Sequence, residues 1–166
     1  MPSVALLGSG LLGEAIGRRL LDQSVELKVW NRTPERCQTL IQEGAQAVPD
    51  LSSLAEGCST VITVLRDGPV THAVVRELGD LRGGCLMPMG TMGITEIRSL
   101  AEKIQHQNGH CLEAPVLGSK PQALKGELLV MAGGESALFD QQRPLLEHLS
   151  QEPMLVGPIG SSAATK

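Results

Sequence analysis

Short apolar runs alternate with longer stretches of helical period along the whole chain, and Gly, Pro, Asn and Asp fall between them. This alternation predicts a βαβ architecture. The predicted strands lie near Ser3–Leu7, Glu26–Trp30, Gln46–Val48, Thr60–Leu65, Cys85–Met89, His110–Val116, Glu127–Ala132 and Met154–Val156. The predicted helices are Leu11–Leu21, Pro34–Gln42, Leu51–Glu56, Val70–Glu77, Thr95–Gln107 and Ala137–Leu149. Because the first strands are apolar without alternation, helices should cover both faces of a mainly parallel sheet.

The residues between these segments support the helix boundaries. Thr33 followed by Pro34 predicts an N-cap with Pro at the first helical position. Pro144 lies inside the last helical pattern, so we expect it to kink or break the helix that ends near Leu149. No repeat or linker-like stretch interrupts the sequence. One doubly wound α/β domain therefore accounts for the chain to about Gly157.

Composition excludes several classes of protein. The 166 residues include 42% apolar side chains, which is enough for a core, and the net charge of −4 argues against a nucleic-acid partner. The four cysteines, at positions 37, 58, 85 and 111, show neither zinc-finger nor disulfide spacing, so we expect no metal site. The sequence shows no signal peptide and no stretch of about 18 apolar residues. We therefore expect a cytoplasmic protein with no membrane partner.

A glycine-rich motif follows the first predicted strand and opens the first predicted helix. It reads G-x-G-x-x-G and consists of Gly8, Ser9, Gly10, Leu11, Leu12 and Gly13. Three glycines are weak evidence in a chain that has 19, but a second strand ends about 20 residues later, as in a dinucleotide-binding unit. Gly8 should permit the tight turn, Gly10 the approach of a pyrophosphate, and Gly13 close helix–strand packing. The helix should offer free N–H groups to the phosphates. The alternative is a glycine-rich surface turn.

The end of the second predicted strand favours NADP(H) over NAD(H). Where an NAD enzyme would place Asp or Glu against the ribose 2′-hydroxyl, this sequence has Asn31, Arg32 and Thr33. Arg32 can make a charge-assisted contact to a 2′-phosphate, with the Asn31 amide and the Thr33 hydroxyl as neutral donors. The alternative is that Thr33 only caps a helix and Arg32 is a solvated surface cation.

Two further strand ends should line the same cleft, because ligands of open parallel sheets bind beyond the carboxyl ends of the strands. They are the segments Leu65–Pro69 and Met89–Gly93. From the residues alone, each could equally be an ordinary turn between a strand and a helix.

Four motifs in order resemble the β-hydroxyacid dehydrogenase family, which includes the 3-hydroxyisobutyrate dehydrogenases. They are Gly8–Gly13, Trp30–Thr33, Glu113–Ser119 and Gly157–Gly160, with Lys166 after the last. Within the family, the chain is most similar to the NADPH-dependent glyoxylate and succinic semialdehyde reductases. The resemblance implies a Rossmann-type NADP-binding domain over residues 1–158 and the start of an interdomain helix over residues 159–166. The family's all-α second domain, which builds its homodimers or homotetramers, would then be missing and the chain truncated.

The resemblance extends the cofactor site to two further loops. Leu65 and Arg66 match the family's Leu-Pro cofactor contact, and Val70 lies near the same loop. Thr91 matches the Thr of the family's Asp-x-Ser-Thr segment, which implies a place near the nicotinamide. Arg66 stands where the family has Pro. The implied cofactor is NADP(H).

Two hydroxyls that the family uses on its acid substrates are missing from this chain. The Asp and Ser of the Asp-x-Ser-Thr segment fall on Pro88 and Gly90. In the family's Val-Ser-Gly substrate loop, Leu117 replaces Ser and Gly118 is kept. Ser119 either compensates for the lost hydroxyl or only caps a helix.

Lys166 matches the family's catalytic lysine, although a lone terminal lysine is otherwise a solvated charge. The resemblance implies that its ammonium donates the proton when hydride reaches a carbonyl carbon, so that a small aldehyde or oxo acid and its hydroxy acid are interconverted. Without the second domain, turnover should be poor. The alternatives are an imine reductase, in which Asp or Tyr typically replaces this lysine, and a nucleotide-binding module without turnover.

Overall fold

The centre of the molecule is a six-stranded sheet in which neighbouring strands run parallel. The computed structural model describes residues 3–54 and 56–165. The six strands are Ser3–Leu7 (β1), Leu27–Trp30 (β2), Gln46–Ala47 (β3), Cys58–Thr63 (β4), Cys85–Pro88 (β5) and His110–Cys111 (β6). Their order is β3-β2-β1-β4-β5-β6, so the chain winds outward from β1 in both directions. The predicted Rossmann-type, doubly wound α/β fold is confirmed.

Helices cover both faces of this sheet, as the apolar strands predicted. The first four are Leu11–Asp22 (α1), Gln38–Gln42 (α2), Gly68–Arg76 (α3) and Ile94–His106 (α4). Successive side chains of β1 point to opposite faces, and both faces are buried. Leu6 packs in one core cluster with α1 and α2, whereas Leu7 packs in a second cluster with α3 and α4.

A second, three-stranded sheet follows the first along the chain. Its strands are Val116–Leu117 (β7), Leu129–Gly133 (β8) and Met154–Gly157 (β9), in the order β7-β8-β9. β7 runs antiparallel to β8, and β9 runs parallel to β8. Three short helices accompany it: Lys120–Lys125 (α5), Ser136–Leu146 (α6) and Ser161–Thr165 (α7).

The predicted single strand His110–Val116 is wrong, because the chain passes from one sheet to the other within it. The Leu112 and Ala114 N–H groups still donate to β5 carbonyls, at 3.0 and 2.9 Å. Glu113, between them, points its backbone the other way and forms an antiparallel bridge with Gly133. Pro115 then supplies no N–H to either sheet. The segment is therefore a link between two sheets, with β6 and β7 at its two ends.

Three predicted helices need correction at their ends. Pro34–Gln42 begins as a 3₁₀ helix over Pro34–Cys37 and becomes α2 only afterwards, because Arg36 N–H bonds Thr33 O instead of a more distant carbonyl. In Leu51–Glu56, the described residues 51–54 and 56 contain a 3₁₀ turn at Leu51–Ser53 and no α-helix. The last predicted helix stops early: α6 contains Pro144 and ends at Leu146, not Leu149.

The helix α5 was not predicted, although its signals are in the sequence. Ser119 precedes it, Pro121 lies in its first turn, and Gly126 ends it with a positive φ of 71°. The segment was too short to show a helical period. The strand predicted just after α5, Glu127–Ala132, begins and ends later in the structure, at Leu129–Gly133.

Candidate active site

The loops that follow β1, β2, β4 and β5 lie at one edge of the sheet, where the carboxyl ends of these parallel strands meet. Because β1 lies between β2 and β4, the glycine-rich turn is flanked by the loops at Asn31–Thr33 and Leu65–Val70. This is the edge at which open α/β sheets bind ligands. Two adjacent sets of loops there enclose two cavities.

The glycine-rich turn needs glycine at two of its three positions for its own packing. Gly8 has a φ of 105°, and a Cβ on it would overlap the Val64 carbonyl oxygen. A Cβ on Gly13 would overlap the Gly8 carbonyl oxygen. Gly10 differs, because a Cβ there would meet nothing within 4 Å. The space in front of Gly10 is therefore open to a ligand.

Asn31 ties the glycine-rich turn to the end of β2. Its Oδ1 accepts the Ser9 N–H at 3.0 Å, and its Nδ2 donates to Thr33 O at 3.0 Å. The buried Ser9 hydroxyl lies 3.4 Å from the Cys37 sulfur. Ser9 and Asn31 thus shape the turn from within. Among the other motif residues, Leu12 packs against the core and Leu11 is exposed.

The first cavity, of about 330 Å³, opens in front of this turn. Three guanidinium-bearing residues line it: Arg32, Arg36 and Arg66. The remaining lining comes from Gly8, Gly10, Asn31, Thr33, Val64, Leu65 and Val70. No carboxylate is among these lining residues, so the cavity is electropositive. The sequence predicted Arg32 and the backbone contact at Arg66, but not Arg36, although Arg36 follows Arg32 by four residues at a helix start.

Asp67 holds the loop that places Leu65 and Arg66. Its Oδ1 accepts the Val70 N–H at 3.0 Å and so caps α3, and its Oδ2 pairs with Arg66 Nε at 3.0 Å. The bond from Val70 and, less strongly, the Arg66 guanidinium hold the pKa of Asp67 below its usual value. The carboxylate is therefore ionised at neutral pH and keeps the loop closed on the start of α3.

The second cavity, of about 210 Å³, lies beside the end of β5. It is lined by Pro88, Gly90, Thr91, Met92, Ile97, Glu113, Pro115 and Ala163. The structure explains the glycine at position 90, since a Cβ there would lie 2.8 Å from the Leu65 carbonyl oxygen. The loop after β4 therefore approaches too closely for the family's Ser. Gly90 and Thr91, the predicted substrate and nicotinamide contacts, both line this cavity.

The other predicted substrate residues lie elsewhere. Leu117 is 42% exposed on β7, and Gly118 packs against Leu128 and Gln122. Ser119 precedes α5, and its N–H donates to Gln122 Oε1 at 2.6 Å. This bond matches the alternative in which Ser119 caps the helix. None of the three lines the second cavity as described over residues 3–54 and 56–165. Lys166 lies outside the described residues.

Sequence reasoning missed most of the apolar wall of the second cavity, and it assigned no role to Glu113. Met92 lies in the segment Met89–Gly93 that was expected to line the cleft, but Ile97, Pro115 and Ala163 come from three further parts of the chain, which no local pattern brings together. Glu113 did carry a signal, because it is an acidic residue between two apolar ones in a predicted buried strand.

The described part of the chain shows neither a metal site nor a helix that could span a membrane. No group of three or more His, Cys, Asp or Glu side chains there is placed to hold a metal ion. No helix among those residues is both long and apolar enough to cross a membrane.

Comparison with known proteins identifies the family. A family model described as the NAD binding domain of 6-phosphogluconate dehydrogenase matches residues 3–157. The chain belongs to this family. Glyoxylate/succinic semialdehyde reductase 1 of Arabidopsis thaliana is 30% identical over 168 residues, and the match covers 98% of the chain and 58% of that protein. The chain thus spans a little over half the length of this relative.

Solved structures agree with the 6-phosphogluconate dehydrogenase NAD-binding family. An imine reductase from Pseudomonas sp. matches with a TM-score of 0.93 at 25% identity, over 99% of this chain and 58% of that one. The 3-hydroxyisobutyrate dehydrogenase of Mycobacterium tuberculosis matches with a TM-score of 0.91 at 22% identity, over 99% and 57%, and shows the same fold. The family is one of oxidoreductases that use a nicotinamide dinucleotide, and the predicted resemblance to it is confirmed.

The first cavity fits such a dinucleotide. The open space at Gly10 leaves room for a pyrophosphate against the start of α1, where the first-turn N–H groups have no partner within the helix. The guanidinium groups at the far side fit a further anionic group.

Proposed function

We propose that the chain is the cofactor-binding part of an NADPH-dependent oxidoreductase that interconverts a small aldehyde or oxo acid and its hydroxy acid. The observation that carries the proposal is the electropositive first cavity, in which Arg32, Arg36 and Arg66 surround the space beside Gly10. A 2′-phosphate adds negative charge, and none of the described residues that line the cavity is an Asp or Glu that would repel it. The similarity to a glyoxylate/succinic semialdehyde reductase supports the substrate class.

The position of each residue indicates which part of the cofactor it would contact. Gly8, Gly10 and Gly13, with the start of α1, would hold the pyrophosphate, and Arg32 would bind the 2′-phosphate with Arg36. Leu65, Arg66 and Val70 would contact the adenosine half, and Gly90 and Thr91 would lie near the reacting end.

The bound dinucleotide would supply the hydride. Lys166 would donate the proton to the carbonyl oxygen and stabilise the negative charge that develops there. In the reverse direction it would accept the proton of the hydroxyl. The apolar residues of the second cavity would shield one side of the carbonyl from water.

The cofactor assignment is tested by following Trp30 fluorescence while NADPH or NADH is added. Trp30 ends β2, next to Asn31 and Arg32, so its emission should respond to binding. The wild type should bind NADPH more tightly than NADH. Arg32→Ala should weaken NADPH binding by about tenfold or more and leave NADH unchanged, because one charge-assisted contact is lost.

The matched control is Arg18→Ala. It removes the same charge from an exposed pair with Glu43 on the outside of α1 and should change neither affinity. Equal affinities of the wild type for NADPH and NADH would refute the NADP assignment.

The reaction is tested with a panel of aldehydes, oxo acids and cyclic imines, using the longest natural form of the protein and its Lys166→Ala variant. Aldehyde or oxo acid reduction that falls at least a hundredfold in the variant, with NADPH binding retained, would support the proposal. Unchanged turnover in the variant would remove Lys166 from the mechanism. Binding without turnover of any substrate would indicate a nucleotide-binding module.

A second candidate is an imine reductase. The second cavity favours it, since Gly90 lacks the hydroxyl with which the family's Ser contacts acid substrates at this position, and most of the other described lining residues are apolar. The similarity to the imine reductase of Pseudomonas sp. agrees. Reduction of imines at a rate above that of every aldehyde and oxo acid in the same panel would establish this candidate over the first.

A further inference from the structure

A buried carboxylate lies beside the second cavity and has no part in the proposed cofactor contacts. Glu113 is 3% exposed and lies in the segment that links the two sheets. Its backbone N–H and C=O both pair with Gly133, at 3.0 and 2.9 Å. These two bonds fix the backbone of Glu113 and therefore the position from which its side chain extends.

The Glu113 side chain holds the start of α7. Its Oε1 accepts the Gly160 N–H at 2.7 Å and the Ser162 N–H at 3.0 Å. These two donors lie on either side of the first residue of α7, so one oxygen fastens the first turn of the helix. The hydroxyl of Ser162 adds a bond to Met131 O, which ties the same turn to β8.

The carboxylate is closely packed by its surroundings. A Cβ on Gly133 would overlap Glu113 Oε1, so glycine at position 133 makes room for the carboxylate. Gly160 reaches its donor position with a φ of 96° and packs closely under Arg98 of α4. Ala163, on the fastened turn, lines the second cavity together with Glu113 itself.

We infer that Glu113 is a positioning residue, whose carboxylate fixes the first turn of α7 against the second cavity. The side chain is suited to this task because one acceptor oxygen at this reach can accept from both N–H groups. Its effect on turnover rests on the proposed oxidoreductase function, whereas its effect on α7 does not.

The effect on α7 is tested by amide hydrogen exchange in two variants of similar size. Glu113→Gln keeps an acceptor oxygen, whereas Glu113→Leu keeps the volume and leaves both donors unpaired. In the Leu variant, exchange of the Gly160 and Ser162 amides should accelerate by about tenfold or more, while the β1 amides change by less than about threefold. In the Gln variant, both should stay within about threefold of the wild type.

Two further variants keep this test decisive. Thr60→Val removes a part-buried bond to Gln142, 3.0 Å long, within β4, and should leave exchange at Gly160 and Ser162 unchanged. If Glu113→Leu does not fold, Glu113→Asp replaces it, because a side chain one carbon shorter cannot reach both donors. Equal exchange at Gly160 and Ser162 in the wild type and in the Leu or Asp variant would overturn the inference.

The effect on catalysis is tested in the longest natural form with the best substrate from the panel. In the Leu variant, kcat should fall by about tenfold or more while the Kd for NADPH stays within about twofold, and Gln should restore most of kcat. A parallel loss of NADPH binding would show a general structural effect and contradict the inference. If the wild type turns over no substrate, the proposed function fails, and the exchange result alone decides the role of Glu113.

Discussion

At the scale of single residues, Gly10 and Gly13 belong to one turn but have different requirements. Gly13 has no room for a side chain because Gly8 O lies against it, whereas Gly10 faces open space. Gly13→Ala should therefore lower the free energy of unfolding by about 1–3 kcal/mol through overpacking. Denaturant titration measures this change.

Gly10→Ala should weaken NADPH binding without destabilising the fold. Its φ of −70° suits alanine, so stability should change by less than about 1 kcal/mol. The new methyl group would stand where a pyrophosphate approaches, and NADPH affinity should fall by about tenfold or more. Calorimetric titration of NADPH gives the affinity, and a Gly10→Ala protein that binds as the wild type does would show that the pyrophosphate lies elsewhere.

Arg66 is the position at which this chain departs from its family inside the first cavity. Its side chain is 81% exposed and already paired with Asp67, so it should contribute less than Arg32. Arg66→Ala should weaken NADPH binding by about two- to fivefold, with less effect on NADH. The difference in NADPH affinity between the wild type and Arg66→Ala should shrink in high salt, because salt screens an exposed charge. An effect of the substitution on the backbone of the loop would not depend on salt.

At the scale of elements, the cap of α3 makes stability depend on pH. Because the folded-state pKa of Asp67 is lowered by the Val70 N–H, its contribution is complete above about pH 4, near the unfolded value. It is lost as the pH falls through the lower folded-state pKa. Asp67→Asn keeps a capping side chain but does not titrate.

The melting temperature of the wild type should therefore exceed that of Asp67→Asn at pH 6, and the gap should close below about pH 4. Comparing the two proteins cancels the similar behaviour of Asp50 and Asp80, whose pKa values are also lowered by hydrogen bonds. A constant gap from pH 6 to pH 3 would contradict this account.

Elements whose partners are close in sequence were predictable, and those defined by distant contacts were not. The first strand, turn and helix follow from local pattern, and the structure reproduces them almost to the residue. His110–Val116 reads as one strand because its side chains are mostly apolar, yet alternate N–H groups bond two different sheets. Similarly, Asn31 is predicted as a cofactor donor, and nothing local in the sequence shows that its Oδ1 also accepts the N–H of Ser9, 22 residues away.

At the scale of the whole molecule, every residue that lines the first cavity lies between positions 8 and 70. The 166-residue chain should therefore bind NADPH by itself, even though its relatives extend well beyond the matched region. Its turnover should be much slower than that of a two-domain relative, because the second cavity remains open to water. Calorimetry and steady-state assays on this chain measure both, and turnover comparable to the relative's would contradict the expectation.

The residues lining the second cavity lie between positions 88 and 163, so the two cavities share no stretch of chain. Gly90 is the point of contact between the two, because a Cβ on it would lie 2.8 Å from Leu65 O of the first cavity. Away from Gly90 and Thr91, mutations at one cavity can therefore accumulate without altering the other. Substrate preference can diverge in descendants of one ancestor while cofactor use stays fixed, and a mutant library confined to Met92, Ile97, Pro115 and Ala163 would sample new substrates with the cofactor site unchanged.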